Sequence, residues 1–308
     1  MRYFDLHCDT IAECANQNQP LRENTLQLSL ERGKAYSPWF QCFAIWIPDS
    51  LRGGEAFSYF QRIRGRFLEE LKRNEGVLQA CRVKEDFQRI EKTGGCGAVL
   101  TVEGGAALAG KLENIAYFAE CGVRALTLTW NGPNEIGDGA MTEHSKGLTE
   151  FGRKAISELE KCGIVIDISH ASDPLFYEVA ERAGRPFIAT HSNARAVCGH
   201  PRNLTDEQFQ IIKARGGLVG LNFYVDFLRD SGTACREDVL RHAEHFLSLG
   251  GEKVLAIGSD FDGAAMPGDL PGIQAVEALA ECFLKHGYPE SLVEDIFYGN
   301  AYRFYQSF

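Results

Sequence analysis

Residues 4–10 read Phe4-Asp5-Leu6-His7-Cys8-Asp9-Thr10, an apolar run that closes on a His-x-Asp pair. On a β-strand the residues at i and i+2 share a face, so His7 and Asp9 turn toward one metal ion while Cys8 points away. Taken alone, the pair also suits a strand that merely ends in polar residues. The decision rests on whether further ligands stand at the ends of further strands, as they do at the catalytic mouth of a (β/α)8 barrel.

Eight short apolar or β-branched runs recur along the chain: 3–7, 41–47, 97–102, 124–129, 164–168, 186–190, 217–221 and 254–258. Helical patterns separate many of them, at 57–73, 148–161, 174–183, 206–214 and 236–249, the last stopped by Gly250-Gly251. Alternation of this kind predicts one α/β domain over residues 1–308, a (β/α)8 TIM-type barrel, which the resemblance given below would make metal-dependent and amidohydrolase-like. Residues 16–39 and 131–145 read as loop-rich excursions able to roof a site.

The barrel reading requires reactive side chains just after the apolar runs, and the chain supplies them. The first run delivers His7 and Asp9, the third Glu103, the fifth His170, the sixth His191, and the eighth Asp260 and Asp262. Imidazoles and carboxylates in this mix suit zinc or another borderline divalent ion, and a carboxylate such as Glu103 can bridge two ions. Asp260, nearer the strand end than Asp262, is placed to handle protons, whereas Asp262-Gly263 is turn chemistry. Arg202, after the sixth run, is suited to a bidentate pair with a substrate carboxylate.

The remaining histidines are weaker candidates. His242 and His245 share a predicted helix without the Glu of a zincin motif and are expected on a solvated face. His286 stands near a helix C-terminus, where it can meet the last carbonyls. His144 and His200 fall in predicted loops after the fourth and sixth runs and stay open as supporting or substrate-contacting groups.

Composition narrows the partners. Lys and Arg total 32 against 42 for Asp and Glu, a formal charge of -10 that argues against nucleic acid or an anionic membrane surface. Ten cysteines are scattered with no C-x-x-C pair, which reads as reduced thiols in a cytoplasmic protein. No signal-like segment precedes the first run and no apolar stretch is long enough to span a bilayer, so a cytoplasmic location without membrane attachment is expected.

The combination resembles the membrane (renal) dipeptidase family of zinc-dependent dipeptidases. The resemblance runs from His7 to Gly299-Asn300-Ala301-Tyr302-Arg303. It is carried by Asp5-x-His7-x-Asp9, Glu103-Gly104-Gly105, Asp167-x-Ser169-His170 with His191 21 positions on, Arg202-Asn203, and Gly258-x-Asp260-Phe261-Asp262-Gly263. It implies two Zn2+ per chain, one held by His7 and Asp9, the other by His170 and His191, with Glu103 bridging. It implies a dipeptide substrate, L-L or L-D, whose terminal carboxylate meets Arg202, with Asp260 taking and returning protons while the two cations activate a shared water. A homodimer is implied by the resemblance alone.

One departure stands out. Animal members carry a His at the end of strand four that contacts substrate near the developing oxyanion, and this chain has Trp130-Asn131 there. The Trp130 indole N–H or the Asn131 amide is the substitute donor the sequence offers. Other readings stay open: hydrolysis of a lactam, an N-acyl amino acid or another amide or ester at the same site, a metal-binding protein without catalysis, or a Cys8 nucleophile, which the strand geometry disfavours.

Overall fold

The computed structural model describes all 308 residues. Its strands are β1 (Tyr3–Cys8), β2 (Trp39–Trp46), β3 (Leu78–Ala80), β4 (Cys96–Glu103), β5 (Val123–Thr127), β6 (Val165–Asp167), β7 (Val219–Leu221) and β8 (Leu255–Ile257). All pairings are parallel, in the order β6-β5-β4-β2-β1-β8-β7. The ring closes through the predicted run at 186–190, which forms no regular strand. Asp167 bridges Ile188 and Ala189 bridges Val219 instead. The closure is tight: a Cβ on Gly220 or Gly258 would lie 1.8 or 1.7 Å from the Thr190 carbonyl oxygen, so only glycine lets the neighbouring backbones approach.

β3 is an addition that the sequence reading lacks. It pairs with residues 96–98 of β4, while β5 takes residues 100–103, so β3 extends the lower edge of the barrel without becoming a stave. The staves are mostly apolar because they are covered on both sides; β1 and β4 are buried along their whole length.

Two apolar layers result. The interior layer draws Phe4, Phe40, Val99, Ala125, Val165, Ile188, Leu218 and Ala256 from the eight staves, and the C-terminal helix Asn300–Ser307 plugs it with Ala301, Phe304 and Tyr305. The outer layer of 73 buried residues joins the sheet to the surrounding helices. Helix Gly53–Arg73 buries Ala56, Phe60, Ile63 and Phe67, one stripe at helical spacing. Helix Asp206–Ala214 starts on a capping box between Thr205 and Gln208.

His242 departs from its expected place. It is fully buried, its Nδ1 accepts from the Ala194 N–H at 3.1 Å, and its Nε2 donates to the Leu228 carbonyl at 3.0 Å. It pins the loop after His191 to helix Arg236–Ser248, while His245 pairs with Asp206 at the surface. The missing zincin Glu argues only against a metal role for His242; the contacts that bury it come from residues distant in sequence, Ala194 and Leu228.

Burial lowers His242 to about 4. The unfolded chain therefore binds this proton near pH 6.5 and the folded chain does not until about pH 4, so stability falls as pH drops through that window, by about 3 kcal/mol at its lower end. Urea unfolding of the metal-loaded protein between pH 4 and 6.5 is expected to show a shallower pH slope in His242→Gln than in the parent, even where the variant is less stable throughout.

Candidate metal centre and active site

The first stave does not run straight. Asp5 pairs with Gln41 but Cys8 with Phe43, so β1 carries an extra residue between them. In an unbroken strand Asp5, His7 and Asp9 would share a face. The bulge leaves Asp5 pointing elsewhere, its carboxylate accepting from the Ser259 N–H at 2.8 Å and hydroxyl at 2.6 Å, and releases His7 and Asp9 toward the barrel mouth. Cys8 bridges Phe261, stays buried outside the cavity, and is held as a thiol by its burial, in keeping with its expected bystander role.

Around the mouth His7, Asp9, Glu103, His170, His191 and Asp260 converge from five staves. Their ligand atoms fall into three groups, His7 with Asp9 and Glu103, Glu103 with His170 and His191, and His7 with His191 and Asp260, each within 4.8 Å. Glu103 divides its oxygens: Oε1 lies 2.7 Å from His170 Nε2 and 3.5 Å from His191 Nε2, and Oε2 lies 3.6 Å from His7 Nε2. His7 Nε2 is 3.4 Å from Asp9 Oδ2 and 3.8 Å from Asp260 Oδ1.

The surrounding hydrogen bonds fix which imidazole nitrogens are bare. Asp167 accepts from the hydroxyls of Ser169 and Thr190, at 2.7 and 2.6 Å, so the Thr190 oxygen can only accept from His191 Nδ1, 2.8 Å away. His170 Nδ1 likewise donates to Asn131 Oδ1 at 3.0 Å. Both rings then turn an Nε2 lone pair toward the other, at 2.9 Å, and toward Glu103. Lone pairs and a carboxylate crowded this closely repel unless a cation lies among them. His7 Nε2 and Asp9 Oδ1 are also buried without a partner, which completes a donor set fitted to divalent metal.

The electrostatics agree. Burial pushes Glu103 far above and Asp260 above the usual carboxylate range. Burial, with Arg202 and His7 nearby, drives His170 and His191 far below the usual imidazole range. Burial opposes a charge on His7 too, but Glu103, Asp9 and Asp260 overcome it and raise His7 to about 10. Metal charge at the mouth would reverse this competition by stabilising the carboxylates and taking the imidazole lone pairs.

The two strand-eight aspartates have different surroundings. Asp262 is spent on structure, accepting from the Thr10 hydroxyl and the Gln27 N–H, whereas Asp260 accepts from Asn222 Nδ2 at 3.0 Å through Oδ2 and keeps Oδ1 toward His7. Both sit at positive φ, 64° and 68°, a left-handed turn that aspartate tolerates. Through Asp262 the 16–39 excursion braces the site from outside rather than roofing it. Arg202 is buried, with Nε and Nη2 unpartnered, its Cζ 5.3 Å from the Phe227 ring, and burial lowers it to about 10. A guanidinium so placed calls for an anion.

A cavity of about 600 Å³ opens above these groups, walled on one side by Trp46, Trp130 and Asn131 and on another by Tyr224 and Phe227. Trp130 stands edge-on to Trp46, 5.1 Å between ring centres, and 6.3 Å from His170. Asn131 gives its carbonyl oxygen to His170, so its first duty is to orient a ligand rather than to donate to substrate. Of the other histidines, His144 is exposed, His200 packs on Phe227 and accepts the Arg202 N–H, and His286 meets the Cys282 carbonyl as anticipated. Trp46 and Asn222, which end the second and seventh staves, are site residues passed over, although the rule that found His170 applies to them equally.

The chain matches the family model for membrane dipeptidase (peptidase family M19) over residues 1–307. It belongs to that family. Among relatives, an uncharacterised protein of the pqqA 5′ region of Klebsiella pneumoniae is 32% identical over 74% of this chain and 88% of its own. Dipeptidase 3 of Macaca fascicularis is 34% identical over 68% of this chain, a match that spans 44% of the macaque protein. A solved M19 metallopeptidase described as a dipeptidase superposes with a TM-score of 0.92 at 30% identity, covering 98% of this chain and 97% of its own. A metallopeptidase from Rhodobacter sphaeroides, solved with a phosphinate mimic of the dipeptide L-Ala-D-Ala, gives 0.92 at 29% identity over 98% of each chain. This family member is accordingly a metal-using hydrolase of peptide bonds, and no helix in it is long and apolar enough to cross a membrane.

Two substitutions probe how the centre is held. Thr190→Val removes the acceptor that keeps His191 Nδ1 protonated and is expected to weaken zinc binding about 10- to 100-fold in a chelator competition, with the fold intact by circular dichroism. Gly263→Ala would place a Cβ 2.1 Å from Asp9 Oδ2 and 2.7 Å from Asp260 Oδ1, and is expected to cost metal affinity well before it costs folding.

Proposed function

We propose that the protein cleaves dipeptides bearing a free terminal carboxylate at a centre of two zinc ions. His7 and Asp9 would hold one, His170 and His191 the other, and Glu103 both. The observation that carries this reading is the split Glu103 carboxylate, with one oxygen toward the His170 and His191 pair and the other toward His7. When bound, such cations supply Lewis acidity that polarises an amide carbonyl and makes water a nucleophile at neutral pH.

The remaining work falls to the chain. Arg202 receives the substrate carboxylate on its unpartnered nitrogens, which fixes the scissile bond one residue away and excludes longer peptides from that register. Asn222 holds Asp260 by Oδ2, leaving Oδ1 to take the proton of the attacking water and return it to the leaving amine. Trp46 and Trp130 shield the bond from bulk solvent, and the Asn131 amide braces His170 from beneath. The Rhodobacter relative solved with a phosphinate mimic of a dipeptide supports a tetrahedral species at the matching position here.

Protein loaded with two equivalents of zinc is expected to release amino acids from a panel of L-L and L-D dipeptides and to lose that activity to a chelator. Silence on the whole panel, with turnover of lactams or N-acyl amino acids instead, would overturn the dipeptide assignment. Arg202→Met is expected to lower kcat/KM for free dipeptides about 100-fold while leaving the much slower hydrolysis of the matching dipeptide amides within about threefold of the parent.

A further inference from the structure

Glu13 lies four residues beyond Asp9 on helix Thr10–Asn16, so the two carboxylates leave the same face of that turn, and both line the cavity. The other acidic groups on the cavity wall are engaged. Asp9 and Glu103 face imidazoles, Asp260 accepts from Asn222, and Asp262 accepts from Thr10 and Gln27. Glu13 is half-buried and meets only the side-chain amides of its own helix end, Asn16 at 3.3 Å and Gln17 at 2.7 Å. No Lys or Arg lines the cavity to neutralise it.

Its position relative to Arg202 gives this charge, which has no ion-pair partner, a direction. Arg202 shares a small pocket with Ser169 and Ala171, the residues flanking His170, and Glu13 stands on the Asp9 side. A dipeptide whose terminal carboxylate meets Arg202 spans the centre and lays its N-terminal residue toward Glu13. The wall there is Gly263, Ala264 and Ala265, small residues that leave room for a long side chain. We propose that Glu13 selects dipeptides whose N-terminal residue carries a cationic side chain, lysine or arginine, an assignment that rests on the dipeptidase reading above.

The test compares kcat/KM of the zinc-loaded enzyme for Lys-Ala and for norleucine-Ala, which lacks the ammonium group. The parent is expected to favour Lys-Ala about fivefold at low salt, a preference that shrinks as salt screens a partly solvated pair. Glu13→Gln brings the ratio near one, and Glu13→Lys turns the preference toward Glu-Ala. A parent ratio near one, or a ratio unmoved in Glu13→Gln, overturns the proposal. So does an equal loss on both substrates, which would assign Glu13 to the α-ammonium group that all dipeptides share. Norleucine-Ala cleaved without discrimination defeats this inference alone, whereas failure on every dipeptide defeats the dipeptidase reading with it.

Discussion

A carboxylate buried between two sets of bare imidazole nitrogens is the constraint on which the rest of this structure depends. Glu103 is buried, and so are its neighbours His7, His170 and His191. Without cations such a cluster sets desolvated negative charge against lone pairs, an arrangement that apolar packing must hold in place. The barrel provides that hold: eight staves fixed by backbone ladders deliver the groups from positions that cannot drift apart.

The barrel interior is graded to suit. Its floor is the aromatic and aliphatic layer sealed by the C-terminal helix, and above it lies a polar ring of Thr127, Asp167, Ser169 and Thr190. That ring contributes no ligand itself. Asp167 consumes the hydroxyl hydrogens of the ring, forcing Thr190 to act as an acceptor and so deciding which nitrogen of His191 is bare. The hydrogen-bond logic thus runs upward from the apolar floor to the chemistry at the mouth.

Around this centre the cavity is unequal on its sides. Glu13, which has no ion-pair partner, lines one side, Phe227 with the buried Arg202 guanidinium packed behind it lines another, and an edge-on tryptophan pair forms a third wall. The Trp130-Asn131 pair divides its work between an apolar wall and a prop for His170. Under the proposed assignment, a dipeptide with a cationic N-terminal side chain meets complementary charge at both Arg202 and Glu13 only in one orientation.

The sequence by itself determined most of the apolar runs that build the barrel and the polar residues that end them, because strands buried on both faces are largely apolar until they reach the mouth. It also determined the bystander place of Cys8 and the division between Asp260 and Asp262, both consequences of local geometry. Only the tertiary structure decided that a bulge turns Asp5 away from His7, that the 186–190 run closes the ring by two bridges alone, and that His242 is buried beneath a loop. Those outcomes depend on register and on contacts between residues far apart in the chain. The same holds for the bare Nε2 atoms: a histidine's tautomer is set by the partner on its other nitrogen, and for His170 and His191 that partner is settled by hydrogen bonds linking three neighbouring staves.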